Sequence, residues 1–518
     1  MNKQKISFAG ALVAAVLIAT ACGNRHDVDA FPPVQVVNVA PGSDQVTAAE
    51  GAVTVPADAA STAAPPDAGG SPSAAAAPAQ GAAPTARAGA ATPSGAGQAT
   101  KSVAASQPAA GNRSGGATGA TASGAAQPRS AAAGTGGAAA PGGPATAATP
   151  PGGCPAPCGP VIVGHVGSYS GVFSGFANGF RAVEAWAGLM NERGGVDGHP
   201  VRVIVAEDGG DPARHLALVR QLVEEQGAIA FVGCFCPTTG AAAVDYLNKK
   251  RVPVIGGNPS VNYYDRSPMH FPQTSMADGY VRMWAASTAE LAVPQKKSTV
   301  AILACSEIQV CKDEANGVPK HAPDFGMKVV YSAQASLAAP DYTAECLAAR
   351  NAGADVFMLA FDPNSYPRVA RSCSSVGYKP LFSLVADVTN GTAQIDVMEG
   401  AFVGNPVRAW TDLGHPGVAE MHRAFKLHAR GGEVDNTAGL EWVSAKLFER
   451  AIRGRLSPAP TSEDVLKGLW SVKNDNLGGL TAPLTFTEGV PDKPFACWSL
   501  VVVSGRKWTS PRPDVKCE

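Results

Sequence analysis

From Val161 to Gly257 the sequence alternates short Val/Ile-rich runs with segments long enough for a helix, and this alternation limits the fold more than any other feature. The runs VIVGHVG, VRVIVAE, AIAFVG and VPVIGG are too continuously apolar to have one wet face. They suit strands covered on both sides, with the longer segments as crossover helices, which gives βαβαβαβ and a parallel sheet. In an open parallel sheet a ligand sits outside the carboxyl ends of the strands. The loops 168–171, 207–211, 234–239 and 256–260 are therefore expected to converge on one crevice. Their hydroxyls, glycines and backbone amides, with few charges, fit a small polar solute better than a nucleic acid.

The alternation then repeats. Asp278 to Leu291 reads as a helix, followed by strands at 299–304, 328–333, 355–361 and 380–384, with helices at 310–325, 342–352 and 366–376 between them. Beyond Gly400 the pattern turns helical, at His415 to Ala429 and Thr437 to Arg453, with Thr461 ahead of Glu463 and Asp464 opening a third helix. Strand-like runs return at Leu484 to Thr487 and Cys497 to Val503, with Ser504-Gly505 turning into Arg506 to Thr509. The expected fold class is α/β, with two Rossmann-like doubly wound lobes and a cleft between them. Because helices and then strands follow after both lobes are built, the chain is expected to cross between lobes more than once and make a hinge. The expected lobes are 160–283 with 408–477, and 284–407 with 478–518.

Apolar residues are unevenly placed. Between Pro32 and Pro160 there is no Leu, Ile, Met or aromatic residue, so residues 23–153 cannot bury enough surface to offset chain entropy and read as a disordered tether. A flexible chain of that length spans roughly 60 Å. Ahead of it, Lys3 and Lys5, the apolar run Ile6 to Ile18 and Ala19-Thr20-Ala21-Cys22 form a signal peptide over residues 1–22. Its end resembles a bacterial lipobox, although Ala19 stands where Leu is usual. That resemblance implies a lipid on Cys22, export, and anchoring to the outer face of the cytoplasmic membrane.

The formal net charge is -1, which leaves no electrostatic footprint for nucleic acid. Ten cysteines follow Cys22, an even number in an exported chain, and this points to disulfides. Local pairs are Cys154 with Cys158, Cys305 with Cys311, Cys346 with Cys373, and Cys497 with Cys517. Cys234 and Cys236 are left over, at a spacing that strains a bridge between them. No spacing suggests zinc or another metal, and no motif calls for a cofactor.

Several motifs together resemble the type I periplasmic binding proteins, close to the branched-chain amino acid receptors of ABC transporters. They are Gly167 to Gly171 after the first strand, Asn191-Glu192-Arg193-Gly194-Gly195-Val196-Asp197-Gly198 before the second, Glu207-Asp208 with Asp211-Pro212 after it, Val232-Gly233, and Val252-Pro253-Val254-Ile255. The likeness runs from about Pro160 to the C-terminus. It implies a solute clamped between lobes that rotate about a hinge and hand it to ABC permease subunits. In such receptors hydroxyls and amides of the first lobe hold the ligand carboxylate, which points to Ser170, Thr238, Thr239 and Ser260 here. An acidic residue of the second lobe meets the ammonium, and Asp387 stands at that place, with Asp362 as a further candidate. Tyr169, Phe176 and Phe235 are candidates for the apolar side. This chain departs from the pattern in having Pro237 where a hydroxyl is usual, and Gly210 where a cysteine often stands.

Thr238 and Ser260 equally suit helix caps, Asp387 a solvated turn, and the aromatics the core. Enzyme motifs fail. Gly167-Ser168-Tyr169-Ser170-Gly171 has Tyr at the centre of a would-be nucleophile elbow, and Ser504 to Lys507 places S-x-x-K in a hairpin turn. His415, Glu420 and His422 lack HExxH spacing, and no phosphate-binding loop is present. The expectation is a non-enzymatic solute receptor of an ABC importer that takes an amino acid or a similar amide or carboxylate. A sensor of the same fold and an exported α/β hydrolase are the alternatives.

Overall fold

In the computed structural model, residues 158–518 are described apart from 264, 266, 492 and 493. The signal peptide with Cys22, the tether and the Cys154–Cys158 pairing fall outside the described residues. Among the described residues no helix is long and apolar enough to cross a membrane.

The first half of the body runs β1 (Val161–Gly167), α1 (Ala177–Glu192), β2 (Val201–Glu207), α2 (Pro212–Glu224), β3 (Ala230–Val232), α3 (Val244–Lys250), β4 (Val254–Ile255) and β5 (His270–Phe271). These strands form one parallel sheet in the order β2-β1-β3-β4-β5. Both faces are covered, which is why the strands read as unbroken apolar runs. On one face Leu218, Leu222 and Leu247 pack against Ile204, Phe231 and Val254. On the other, Trp186 and Leu189 of α1 join a core that extends through the rest of the body.

The chain continues through α4 (Ala277–Ala292), β6 (Thr299–Cys305), α5 (Gln309–His321), β7 (Lys328–Ala335), α6 (Thr343–Asn351), β8 (Val356–Ala360), α7 (Tyr366–Ser375), β9 (Leu381–Leu384), the single turn α8 (Asn390–Ala393) and β10 (Phe402–Asn405). Helices α9 (Pro416–His428), α10 (Asn436–Ile452) and α11 (Ser462–Trp470) follow, and a hairpin of β11 (Cys497–Ser504) and β12 (Lys507–Cys517) ends the chain. The second sheet has the order β12-β11-β10-β9-β8-β6-β7, parallel except at the β10–β11 and β11–β12 pairs. Strand β12 carries Pro511 and Pro513, which cannot donate to a ladder and so sit on an edge.

Helices α9 and α10 return to pack on α1, and α11 packs on α10. The return is tight because Gly233 (φ +70°) and Gly256 (φ +76°) take backbone conformations that suit glycine, and a side chain at either would meet Glu441 or Ser444 of α10. Helix α11 opens with a capping box, in which Thr461 and Asp464 each accept the other's backbone N–H.

Helix α4, which spans the expected 283–284 boundary, packs on β10, β11 and α5. Two findings correct the sequence reading. The run 402–405 is a strand, although the pattern beyond Gly400 reads as helical. Leu484 to Thr487 is no strand of either sheet: it makes only isolated bridges, Asp475 to Leu484 and Thr487 to Val490. At the three crossings the segments are tied to one another. Thr274 Oγ1 donates to the Pro406 carbonyl (2.9 Å), Thr481 Oγ1 to that of Gln273 (2.6 Å), and the Arg408 N–H to that of Leu480 (2.8 Å).

Disulfides join Cys305–Cys311, Cys346–Cys373 and Cys497–Cys517, as the spacing suggests, and also Cys234–Cys236. The last closes within one loop, between two buried residues.

Candidate functional site

Strand order reverses between β1 and β3 in the first sheet and between β6 and β8 in the second, and such switch points are where loops splay to leave a crevice. The crevices of the two lobes face each other across one cleft that is partly open to solvent. The first lobe contributes Phe173 and Phe176 after β1, Pro237 after β3 and Asn258 after β4. The second contributes Ile308, Val310 and Glu314 after β6, Leu337 after β7, Phe361 and Asp362 after β8, and Val385 and Asp387 after β9, with the Cys305–Cys311 bridge at the base of the wall. Gly175 and Pro363 bring the lobes close at the rim: a Cβ on Gly175 would stand 3.2 Å from Pro363 Cγ.

Of the residues expected from sequence to meet a solute, Phe176, Asp362 and Asp387 line this cleft. Phe235 is buried directly behind, stacked on Phe176 with ring centroids 4.5 Å apart. Asp362 also serves its own turn, accepting from the Asn364 N–H at 2.9 Å and from the Ser365 hydroxyl.

The hydroxyls are placed differently. Thr239 is fully buried, and its Oγ1 donates to Asp208 Oδ2 at 2.7 Å. Asp208 also accepts from Ser168 Oγ (2.5 Å) and the Gly210 N–H (2.9 Å), and pairs with His215 Nδ1 (2.8 Å). Burial would raise this carboxyl's pKa, but the four partners outweigh it and hold the group below the usual carboxylate range. Ser170 is exposed and turns its hydroxyl to Glu207 (3.4 Å), while Thr238 is exposed outside the cleft wall. Tyr169 points into the first lobe, where its hydroxyl, His165 Nε2 and both Glu441 oxygens are buried without a well-formed hydrogen bond. Burial lifts the Glu441 carboxyl to about 7, opposed by the nearby Ser444 hydroxyl and Cys234 N–H, and drops the His165 imidazole to about 4.

Ser260 lies behind the wall. Its N–H donates to Asn258 Oδ1 (2.8 Å), and its hydroxyl lies near Glu314 and Tyr280. Glu314 is 3% exposed, and burial, with help from Asp387 and Asp313 against the Ser260 hydroxyl, pushes its carboxyl up to about 8. Asp387, part-open to the cleft, is raised to about 7 by desolvation and by Asp435, itself raised to about 7 by burial. Asp435 caps α10, accepting from the Ala438 N–H at 2.9 Å. Tyr280 and Tyr366 close the back of this group: the Ala386 N–H donates to the Tyr280 hydroxyl (2.7 Å), and Tyr366 donates to the Phe361 carbonyl (2.7 Å).

Sequence reasoning missed Glu314 and Asp435. The signal for Glu314 was a carboxylate on the apolar face of α5, where Cys311, Ala315 and Val318 are buried beside it. His215, Cys234 and Cys236 place potential metal-ligand atoms within 4.8 Å of one another, but the sulfurs are bonded to each other and His215 is held by Asp208.

A family model described as a periplasmic binding protein matches residues 160–506. An amino acid binding protein of Pseudomonas aeruginosa is 28% identical over 105 residues, which cover 20% of this chain and 28% of that protein, so the match spans little more than a quarter of the relative. Among solved structures, an extracellular ligand-binding receptor from Rhodopseudomonas palustris HaA2 is 19% identical, with a TM-score of 0.56 over 68% of this chain and 99% of that one. A solute binding protein of an R. palustris ABC transporter, solved in complex with benzoate, is 13% identical, with a TM-score of 0.56 over 69% and 98%. A fatty acid ABC transporter substrate-binding protein from Thermomonospora curvata is also 13% identical, with a TM-score of 0.57 over 68% and 92%. At these identities the likeness is one of fold.

Proposed function

The chain belongs to the periplasmic binding protein family, and from that premise we propose that it is an extracytoplasmic solute receptor whose lobes close on a small molecule and present it to the permease of an ABC importer. The observation that carries this reading is the single cleft where strand ends of both sheets meet, with three tied crossings able to act as a hinge. Phe176, Asp362 and Asp387 are the proposed contacts from the expected set. In this reading the activity is grip and release, with no catalytic step. The solutes to be tested on such a receptor include amines, amino acids, amides and small carboxylates. A lipid on Cys22 would hold the body at the outer face of the cytoplasmic membrane.

The test is a thermal-shift screen of the protein against small amines, amino acids, amides and acids, followed by X-ray scattering of any hit. A ligand that binds only the folded state raises the melting temperature, and closure of the lobes shrinks the radius of gyration. A bound solute that leaves the scattering curve unchanged would remove the clamp. For the anchor, Cys22→Ser is expected to move the protein from the membrane to the soluble fraction, and continued membrane retention would count against it.

A further inference from the structure

Resting on that receptor reading, we propose that the cleft selects an organic cation with an apolar body, a primary ammonium on an aromatic or short alkyl group, and discriminates against carboxylates, amino acids included. Among the described residues, the ionisable side chains in the cleft wall are Glu314, Asp362 and Asp387, all acidic, with no Lys, Arg or His beside them. Its apolar surface comes from both lobes, with Phe173 and Phe176 facing Ile308, Val310, Leu337 and Phe361.

Several donors near the cleft that could receive an anion are already bound within the protein. The hydroxyls of Ser168 and Thr239 and the Gly210 N–H serve Asp208. Those of Ser170 and the N–H groups of Tyr169 (2.8 Å) and Gly209 (3.0 Å) serve Glu207. The Ser260 N–H serves Asn258. A carboxylate entering here would stand beside the acids of the wall and meet like charge as they ionise with rising pH. Glu314, 3% exposed, and Asp387 have no cationic partner among the described residues. An unpaired buried carboxylate is unfavourable, and an ammonium supplies the missing counter-charge.

The groups facing the Glu314–Asp387 pair are Asp313 from the same helix, Tyr280 from α4, Asp362 and Tyr366 around the start of α7, and Asp435 at the start of α10. With Asp387 raised to about 7 and Glu314 to about 8, an ammonium must displace protons to form its ion pairs below pH 8. Affinity for a cation therefore rises with pH across that range, whereas affinity for an anion held by the protonated acids falls.

Calorimetric titration of the full chain in detergent with benzylamine, benzoate, benzamide and phenylalanine, and with hexylamine, hexanoate, hexanamide and leucine, tests this. Each set holds the apolar body similar and changes the head. Expected are amine binding at least about 10-fold tighter than any other head, a rise in amine affinity from pH 6 to 8.5, and a loss of about 10-fold or more in Asp387→Asn. Glu314→Gln, the second variant, is expected to flatten the pH dependence. Preference for an acid or amino acid, with affinity falling as pH rises, overturns the cation assignment and leaves the receptor reading standing. Unchanged amine affinity in a folded Asp387→Asn also overturns the assignment. If none of the eight compounds binds, the assignment falls, and failure of the broader thermal-shift screen as well brings down the receptor reading.

Discussion

The Thr239 hydroxyl donates to Asp208 Oδ2 at 2.7 Å, deep in the first lobe and across 31 positions of sequence. A side chain expected at the ligand thereby completes a buried carboxylate, together with Ser168, Gly210 and His215. Thr239→Val removes one of the two hydrogen bonds to Asp208 Oδ2, leaving that of His215, and is expected to reduce stability by about 1–3 kcal/mol. Affinity for a cleft solute should stay within about 2-fold. Urea unfolding and calorimetry on the same variant check both halves, and a large affinity loss with unchanged stability would return Thr239 to the ligand.

Glu314 carries the pH prediction for the ligand-free protein. Its folded pKa of about 8 stands above the ordinary 4.5, so the native state retains a proton that the unfolded chain has lost between those values. Its contribution to stability is complete below about pH 4.5 and is lost as pH rises through 8. Glu314→Gln cannot ionise, so the loss of stability between pH 5 and 9 should be smaller in the variant by about 1–3 kcal/mol. Denaturant midpoints at several pH values measure this, and parallel curves for the two proteins would refute it.

At the rim, Gly175 approaches Pro363 closely enough that a Cβ would touch the proline ring at 3.2 Å. A longer side chain there acts as a wedge between the lobes. Gly175→Leu is expected to weaken solute affinity by about 10-fold or more, mainly through faster dissociation, while the melting temperature of the free protein hardly changes. Stopped-flow dissociation rates decide it, and an unchanged rate would mean that the rim does not gate closure.

Gly468 lies inside α11, where alanine would ordinarily stabilise a helix by about 1 kcal/mol. Here a Cβ would be driven into the Ala451 carbonyl oxygen at the end of α10, and backbone cannot yield as a flexible side chain can. Gly468→Ala is therefore expected to destabilise by about 1–3 kcal/mol. A rise in melting temperature would show that α10 and α11 are free to separate.

Much of the architecture was legible because its signals are local. A buried parallel strand needs an unbroken apolar run, and a crossover helix needs a periodic segment beside it. Both lie within a few residues, as in Thr299–Cys305 followed by Gln309–His321. Thr461 with Asp464 announced the start of α11 in the same way. The strand at 402–405 escaped because four residues between Gly400 and Pro406 are too few to show a period, and only pairing with β9 and β11 makes them a strand. The hydrophobic run 484–487 misled because nearby Val472, Asp475 and Val490, rather than a sheet, take its hydrogen bonds.

The sequence by itself determined that two wound units would be built, which loops would reach the strand ends, and that Asp387 would stand at one of them. Only the tertiary structure decided what those loops do, directing Ser168 and Thr239 inward to Asp208 and bringing Glu314 and Asp435 beside Asp387. The reason is one of range. Secondary structure follows from hydrogen bonding and burial among chain neighbours, whereas the partner of a buried hydroxyl or carboxyl is whatever distant polar group the packing leaves within reach.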